Sequence, residues 1–146
     1  QWLNQRLTDE PFDLLEPGHN DILMSTANID SPGSALKYLL GQDKWHKDPI
    51  ISNVLREPLL SLSAHYVLLE KRAKGTAADS VAHFHLNNGA RVEKLNWLAD
   101  LSVRGLEQSN GIMLNYLYDL KTIDANHESY RAGEPIITST VVTNLL

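Results

Sequence analysis

The sequence predicts an α+β fold in which helices come first and a strand hairpin then leads through a loop to a further helix. Three observations predict it. Apolar residues recur at helical spacing up to Glu70. From Val81 onward, apolar and polar residues alternate as they do in strands. An Asn88-Gly89 pair follows, and it suits a two-residue hairpin turn because glycine adopts a positive φ without strain.

Length and composition fit one globular domain or part of one. The chain has 146 residues, of which 42% are hydrophobic, enough to fill a core. Its 13 basic and 18 acidic residues give a net charge of −5, which is unlike the basic charge of a nucleic-acid binder. The absence of cysteine excludes disulfides, cysteine-ligated zinc and a cysteine nucleophile. No run of 18 apolar residues occurs, so no membrane-spanning segment is expected.

Helical signals dominate the first half of the chain. A short helix is predicted over residues 35–40, ended by Gly41. A longer helix begins with Asp48 as its N-cap and runs to Glu70, with Pro58 expected to restart or kink it. Gly75 is its predicted stop. A basic cluster at this end is explained by the helix dipole, and its members are Lys71, Arg72 and Lys74.

Strand signals follow in the second half. A first strand is predicted over residues 81–86, a hairpin turn over 87–90 and a return strand over 91–99. A polar loop is predicted over 100–111 and a helix over 112–123. Residues 136–146 are equally compatible with a strand or a helix.

The predicted polar loop is the first candidate site. It carries Gly105 and Gly111, and it would deliver backbone N–H groups to a helix N-terminus, an arrangement that binds anions. Arg104 could add a charge-assisted bond to a phosphate. An ordinary loop with Ser109 or Asn110 as the N-cap explains the same spacing.

Two histidines and two tyrosines form the other candidates. His83 and His85 share one face of the predicted strand, where they could ligate a metal with a third ligand, exchange protons or make structural hydrogen bonds. On the predicted helix, Tyr116 fits the apolar stripe. Tyr118 falls off that stripe, so it is either a surface tyrosine or a hydroxyl directed into a cleft.

Several runs of this sequence resemble malonyl-CoA decarboxylases. The most distinctive is the run 81–90, with His83-Phe84-His85-Leu86 followed by Asn88-Gly89-Ala90. The resemblance covers residues 59–146, and residues 1–58 match more weakly through Trp2-Leu3. The other matching residues are 64–72, 96–100, Ser102, Arg104, Gly105, Ser109, Gly111, Met113, 115–118, 126–128 and Tyr130.

This resemblance implies a carboxy-lyase that converts malonyl-CoA into acetyl-CoA and carbon dioxide. It also implies a GNAT-like (N-acetyltransferase) fold, in which acyl-CoA lies between splayed strands with its pyrophosphate on a loop before a helix. His85 and Tyr118 match the family's catalytic histidine and tyrosine. No metal or organic cofactor is expected, because the thioester is itself the electron sink. The implied CoA-binding residues are Arg104, Gly105, Ser109, Gly111 and Asn115.

The family's catalytic serine precedes a Trp-Leu pair, which Trp2-Leu3 matches, so we expect that serine upstream of Gln1. Residues 1–146 are therefore expected to be the C-terminal part of the catalytic domain, without the upstream serine segment and the N-terminal helical domain. A degenerate homologue is the other explanation. An isolated chain without the serine is expected to be inactive.

The alternative functions are a CoA-dependent acyltransferase and a non-catalytic acyl-CoA-binding module. The expected partners are malonyl-CoA and acetyl-CoA, with no nucleic acid and no membrane. The full-length protein is expected to be a homo-oligomer in a bacterial cytoplasm.

Overall fold

The structure is a computed structural model that describes residues 1–9 and 11–146. These residues form two compact units, Gln1–Leu62 and Ser63–Leu146. The described part of the first unit is helical, whereas the second combines helices with a two-stranded antiparallel sheet. The predicted α+β class is therefore confirmed.

The first unit contains α1 (Trp2–Arg6), α2 (Pro17–Ala27), α3 (Pro32–Leu40) and most of α4 (Pro49–Leu68). The helix predicted over 35–40 is confirmed as part of α3, and Gly41 is its C-cap. Asp48 is confirmed as a cap, because its Oδ1 accepts hydrogen bonds from the backbone N–H groups of Ile50 at 2.9 Å and Ile51 at 3.1 Å.

The long helix α4 continues through Pro58 to Leu68, so the helix does not restart there, and a kink at Pro58 stays a prediction. Proline has no N–H and therefore leaves the carbonyl of Val54 without its helical donor. Gly75 is not the stop of this helix. It lies instead in a turn with φ +77°, between Lys71 and Ala77, which form an antiparallel bridge.

The basic cluster Lys71, Arg72 and Lys74 consequently belongs to this bridged turn and not to a last helical turn. The backbone N–H of Arg72 donates to Thr76 O at 2.8 Å, which closes the turn. The predicted helix-dipole explanation is wrong, since that interaction fades beyond the last turn of a helix.

The first predicted strand, residues 81–86, is instead the helix α5 (Ser80–Asn87). The carboxylate of Asp79 accepts a hydrogen bond from the N–H of Ala82 at 2.8 Å and so caps its start. Ala82 and Leu86 are buried. They are four residues apart, a spacing that places two side chains on one face of a helix or of a strand. The alternation was therefore ambiguous, and the Asp79 cap is the missed helix signal.

The predicted hairpin turn is also wrong, because Asn88-Gly89 ends α5. Gly89 has φ +86°, the N–H of Ala90 donates to His85 O at 3.1 Å, and the N–H of Gly89 donates to Leu86 O at 3.0 Å. These two bonds form a Schellman motif. A hairpin turn and a Schellman helix end both need a residue with positive φ. The sequence Asn88-Gly89 is therefore compatible with either structure.

The sheet consists of β1 (Arg91–Asn96) and β2 (Met113–Leu117). The predicted return strand is confirmed as β1, although it ends three residues before Ala99. The helix predicted over 112–123 is wrong, since its first half is β2. Exposure in β2 alternates, with Leu114 and Tyr116 half-buried and their neighbours exposed. This period of two is that of a strand whose one face packs inward.

The predicted polar loop contains a short helix, α6 (Val103–Ser109), so it too differs from the expectation. Ser102 is its N-cap and accepts from the N–H of Gly105 at 3.0 Å. Asn110, expected as the N-cap of a following helix, is instead the left-handed C-cap of α6 with φ 51°.

The chain ends with α7 (Ile123–Arg131) and α8 (Thr140–Thr143). Before α8, residues 137–139 run beside β1, where Val92 donates to Ile137 O at 3.1 Å and accepts from the N–H of Ser139 at 3.0 Å. Across the described residues, no helix has both the length and the apolar character that crossing a bilayer requires.

Candidate active site

The structure brings together the two residues predicted to be catalytic. Nδ1 of His85, on α5, lies 2.7 Å from the hydroxyl of Tyr118, which follows β2 directly. With a neutral imidazole, the Tyr118 O–H donates to Nδ1. With an imidazolium, Nδ1–H donates to the hydroxyl oxygen. Within the described part of the chain, Nε2 of His85 has no hydrogen-bond partner. The pair can therefore hold Nε2 toward a third group in either protonation state.

The ring of Tyr116 packs against the imidazole of His85. The two rings are stacked, with centroids 4.3 Å apart and planes at 18°. Tyr116 and Tyr118 share one face because the segment is a strand, whereas a helix would have separated them. Burial raises the pKa of Tyr116, and the charge of Asp79 and the neighbouring Tyr118 raise it further. Tyr116 therefore stays neutral at physiological pH and acts as a platform for His85, a role that the sequence did not indicate.

Helix α7 fixes the far end of α5. Nδ1 of His127 bonds to the carbonyl of Asn87, and the Asn126 amide donates to Gly89 O at 3.2 Å. These contacts hold the end of the helix that carries His85. The residues 126–128 drew attention only through the family resemblance, because contacts about 40 residues apart leave no periodic signal in a sequence.

His83 does not share a face with His85. Its Nδ1 bonds to the hydroxyl of Tyr130 at 2.7 Å, on the side of α5 that faces α7. A strand would have placed the two histidines together, whereas in a helix positions i and i+2 diverge. Among the described residues, no group of three His, Cys, Asp or Glu side chains is arranged to hold a metal ion.

The predicted CoA-binding residues fall in two places, of which the first is α6 and its flanks. Arg104 is exposed, and its Nε donates to Gln108 Oε1 at 3.3 Å. The Ser109 hydroxyl donates to Gly105 O at 3.0 Å, and Gly111 N–H donates to the same carbonyl at 3.1 Å. Gly105, Ser109 and Gly111 thus bond to one another, and Arg104 contributes an exposed charged side chain to this group.

The remaining predicted CoA-binding residue, Asn115, lies on β2. Its Oδ1 accepts from the Asn96 amide at 2.8 Å, on the sheet face opposite Tyr116. Alternation along β2 therefore separates Asn115 from the face that carries Tyr116 and Tyr118. A CoA-binding role for Asn115 stays a prediction.

The carboxylate of Asp100 places a negative charge beside the start of α6. This carboxylate accepts from the backbone N–H of Ser102 at 3.0 Å. Hydrogen bonds from the Ser102 hydroxyl and N–H hold the pKa of Asp100 below its usual range. A Cβ on Gly105 would lie 2.2 Å from Asp100 Cγ, so the close approach of this carboxylate depends on glycine at position 105.

This lowered pKa predicts an acid-dependent stability. A carboxyl group whose folded pKa lies below its unfolded value of about 3.9 stabilises the fold above that value. The contribution disappears as the pH falls through the folded pKa. We expect Asp100→Asn to reduce the loss of stability as the pH falls below about 4, measured by urea unfolding. Glu107→Gln, an exposed change on α6, is the control. An unchanged pH dependence in Asp100→Asn would contradict this expectation.

The comparisons with known proteins agree on one family. The family model described as the malonyl-CoA decarboxylase C-terminal domain matches residues 1–146. The mitochondrial malonyl-CoA decarboxylase of Rattus norvegicus is 38% identical over 80% of this chain and 24% of its own length. That of Anser anser anser is 33% identical over 100% of this chain and 30% of its own length.

Solved structures agree with the sequence comparisons. The crystal structure of malonyl-CoA decarboxylase from Rhodopseudomonas palustris is 34% identical, with a TM-score of 0.81 over 99% of this chain and 30% of that one. The enzyme from Cupriavidus metallidurans is 35% identical, with a TM-score of 0.78 over 99% of this chain and 35% of that one. The chain therefore spans about a quarter to a third of the length of these relatives.

Proposed function

Because this chain belongs to the malonyl-CoA decarboxylase family, we propose that it supplies His85 and Tyr118 for the decarboxylation of malonyl-CoA to acetyl-CoA and carbon dioxide. The observation that carries the proposal is the 2.7 Å bond between His85 Nδ1 and the Tyr118 hydroxyl. This pair joins two elements that are distant in sequence and leaves Nε2 available to a substrate.

The proposed reaction follows from the chemistry of a malonyl thioester. The bond between the α-carbon and the carboxylate breaks, and carbon dioxide leaves. The electron pair of that bond moves into the thioester carbonyl and produces an enolate. A proton is then delivered to the α-carbon. Catalysis needs a donor directed at the developing oxyanion and an acid for this last step. The thioester accepts the electrons, so the proposal requires no metal or organic cofactor.

His85 is proposed as the donor to the thioester oxygen or as the acid that protonates the enolate. Its Nε2 is the atom assigned to either step. Tyr118 is proposed to orient the imidazole of His85 through the hydrogen bond to Nδ1. Tyr116 is proposed to assist, because its ring is stacked on the imidazole and restricts the tilt of the His85 ring. The alternative role for Tyr118 is to hold the substrate carboxylate. The bond to His85 favours the orienting role.

Arg104 is proposed to bind a phosphate of the CoA moiety, together with the segment that contains Gly105, Ser109 and Gly111. Exposure of the guanidinium and its position in the first turn of α6 support this role. The proposal extends to the fold: residues 1–146 would be the C-terminal part of a GNAT-like catalytic domain, completed by an upstream serine segment and an N-terminal helical domain.

The Arg104 assignment makes a kinetic prediction. Arg104→Ala removes a charge-assisted contact that substrate and transition state share, so we expect KM for malonyl-CoA to rise about threefold to tenfold with kcat nearly unchanged. Steady-state kinetics of a protein containing this segment would measure both constants. Gln108→Ala is the control, because it removes the helical partner of Arg104 and keeps the charge. An unchanged KM would mean that Arg104 does not contact substrate.

The reaction class is tested by product stoichiometry. A full-length protein containing this segment should form acetyl-CoA and carbon dioxide from malonyl-CoA in equal amounts. Release of free CoA with transfer of the acyl group to an amine would indicate an acyltransferase instead. Binding of acetyl-CoA without turnover would indicate a non-catalytic binding module.

Two further expectations stay predictions. The full-length protein is expected to be a homo-oligomer, which light scattering would measure. It is expected in a bacterial cytoplasm, which fractionation of the source cells would test.

A further inference from the structure

The second unit contains a cavity that the proposed reaction does not use. It has a volume of about 190 Å³ and lies on the side of α5 that faces α7, away from the pair of His85 and Tyr118. This volume admits a group larger than one water molecule. Two glycines contribute to its rim, and its other lining residues are Lys74, Thr76, His83, Asn87, Tyr130 and Arg131.

The hydroxyl of Tyr130 holds the ring of His83 through Nδ1. The Tyr130 hydroxyl oxygen accepts from the N–H of Ala77 at 3.0 Å, and it lies 2.7 Å from Nδ1 of His83. A phenolic hydroxyl can donate its one hydrogen to Nδ1 of a neutral ring, or it can accept a hydrogen from Nδ1. When Tyr130 donates to the neutral ring, the imidazole proton is on Nε2, and when the ring is an imidazolium both nitrogens carry a proton. In both of these states His83 presents an N–H donor at Nε2.

The charged side chains that line the cavity are cationic. Lys74 and Arg131 both line it, and no carboxylate among the described residues does so. The nearby carboxylate of Glu134 is bonded to the Ser129 hydroxyl at 2.6 Å. Lys74 comes from the basic cluster that no helix end explains, because its turn is closed by the bridge between Lys71 and Ala77. Two cations and an imidazole N–H around one cavity favour an anion with several acceptor oxygens.

We propose that this cavity binds a phosphoryl group. Arg131 and Lys74 supply its charge complement, His83 donates from Nε2, and the amide of Asn87 can donate a further bond. Tyr130 is a positioning residue, because its hydroxyl holds the His83 ring through Nδ1. The phosphoryl group has two possible sources, inorganic phosphate and the 3′-phosphate of coenzyme A. The second source rests on the proposed function, whereas the first does not.

The test is a nuclear magnetic resonance titration of the full chain with inorganic phosphate. We expect the imidazole signals of His83 to shift with saturation and those of His85 to remain in place, because the two rings face opposite sides of α5. Lys74→Gln combined with Arg131→Gln should weaken phosphate binding at least about tenfold. Both side chains are exposed, so the variant is expected to fold. Lys121→Gln, an exposed lysine outside the cavity, is the charge control.

A second pair of titrations identifies the source. If coenzyme A shifts His83 and dephospho-coenzyme A does not, the 3′-phosphate is the occupant. If only inorganic phosphate shifts His83, the cavity is a separate phosphate site. Either result supports the proposal. Absence of a saturable shift of His83, or an equal affinity in the double variant, would overturn it. No outcome depends on turnover, so failure here is distinct from failure of the decarboxylase proposal.

Discussion

Replacing His85 with alanine is expected to lower kcat for malonyl-CoA decarboxylation by about 10²–10⁴, the range that a positioned general acid contributes. The physical reason is the loss of Nε2, the atom that the pair of His85 and Tyr118 holds toward substrate. KM should change little if the imidazole acts chiefly in the transition state. The measurement is steady-state release of carbon dioxide by a full-length protein containing this segment.

The control separates chemistry from folding. His46→Ala removes a histidine from the first unit, where its ring contacts Trp45 edge-on. It should leave kcat within about twofold, since His46 belongs to the first unit and is assigned no part in the reaction. Circular dichroism of His85→Ala should match the parent. A His85→Ala protein that folds normally and keeps near-parental kcat would remove His85 from the mechanism.

Replacing Gly89 with alanine is expected to cost about 2–5 kcal/mol of unfolding free energy, the largest stability effect that we predict. Gly89 has φ +86°, which costs an alanine about 1–2 kcal/mol. An added Cβ would also lie 2.2 Å from the carbonyl oxygen of Ile123, and relieving such crowding costs about 1–3 kcal/mol. The backbone oxygen must move, because no side-chain rotation relieves this contact. Urea unfolding measures the difference.

Gly75→Ala isolates the two contributions. Gly75 has φ +77°, but a Cβ there would meet nothing within 4 Å. It should therefore cost only the backbone strain of about 1–2 kcal/mol. Equal costs for the two substitutions would show that the packing between Gly89 and α7 is looser than described. A larger cost for Gly89→Ala is expected to be accompanied by reduced activity, because the end of α5 carries His85.

Local signals in the sequence predicted α3 and the start and apolar face of α4. The caps at Asp48 and Gly41 and the spacing of apolar residues in α4 act over a few residues, so they can be recognised in the sequence. The second half was harder. Ala82 and Leu86 fit a helix or a strand, and Asn88-Gly89 fits a helix stop or a hairpin.

The strand β2 was missed for a different reason. Its partner β1 lies about 20 residues earlier, and pairing across that distance overrides local preference. The site residues His85 and Tyr118 were nevertheless predicted, through the family resemblance and not through the assigned periodicity. Tyr116 and the contacts of α7 could not be predicted, because each depends on a ring or carbonyl that only the folded chain brings close.

The central claim is that His85 and Tyr118 act as one unit, and a double-mutant cycle tests it most directly. Carbon dioxide release would be measured for the parent, His85→Ala, Tyr118→Phe and the double variant of a full-length protein containing this segment. Tyr118→Phe alone should lower kcat about tenfold, the value of one lost hydrogen bond. If Tyr118 acts through His85, the double variant should be no slower than His85→Ala. Fully additive losses would contradict the claim and give Tyr118 a separate role in the reaction.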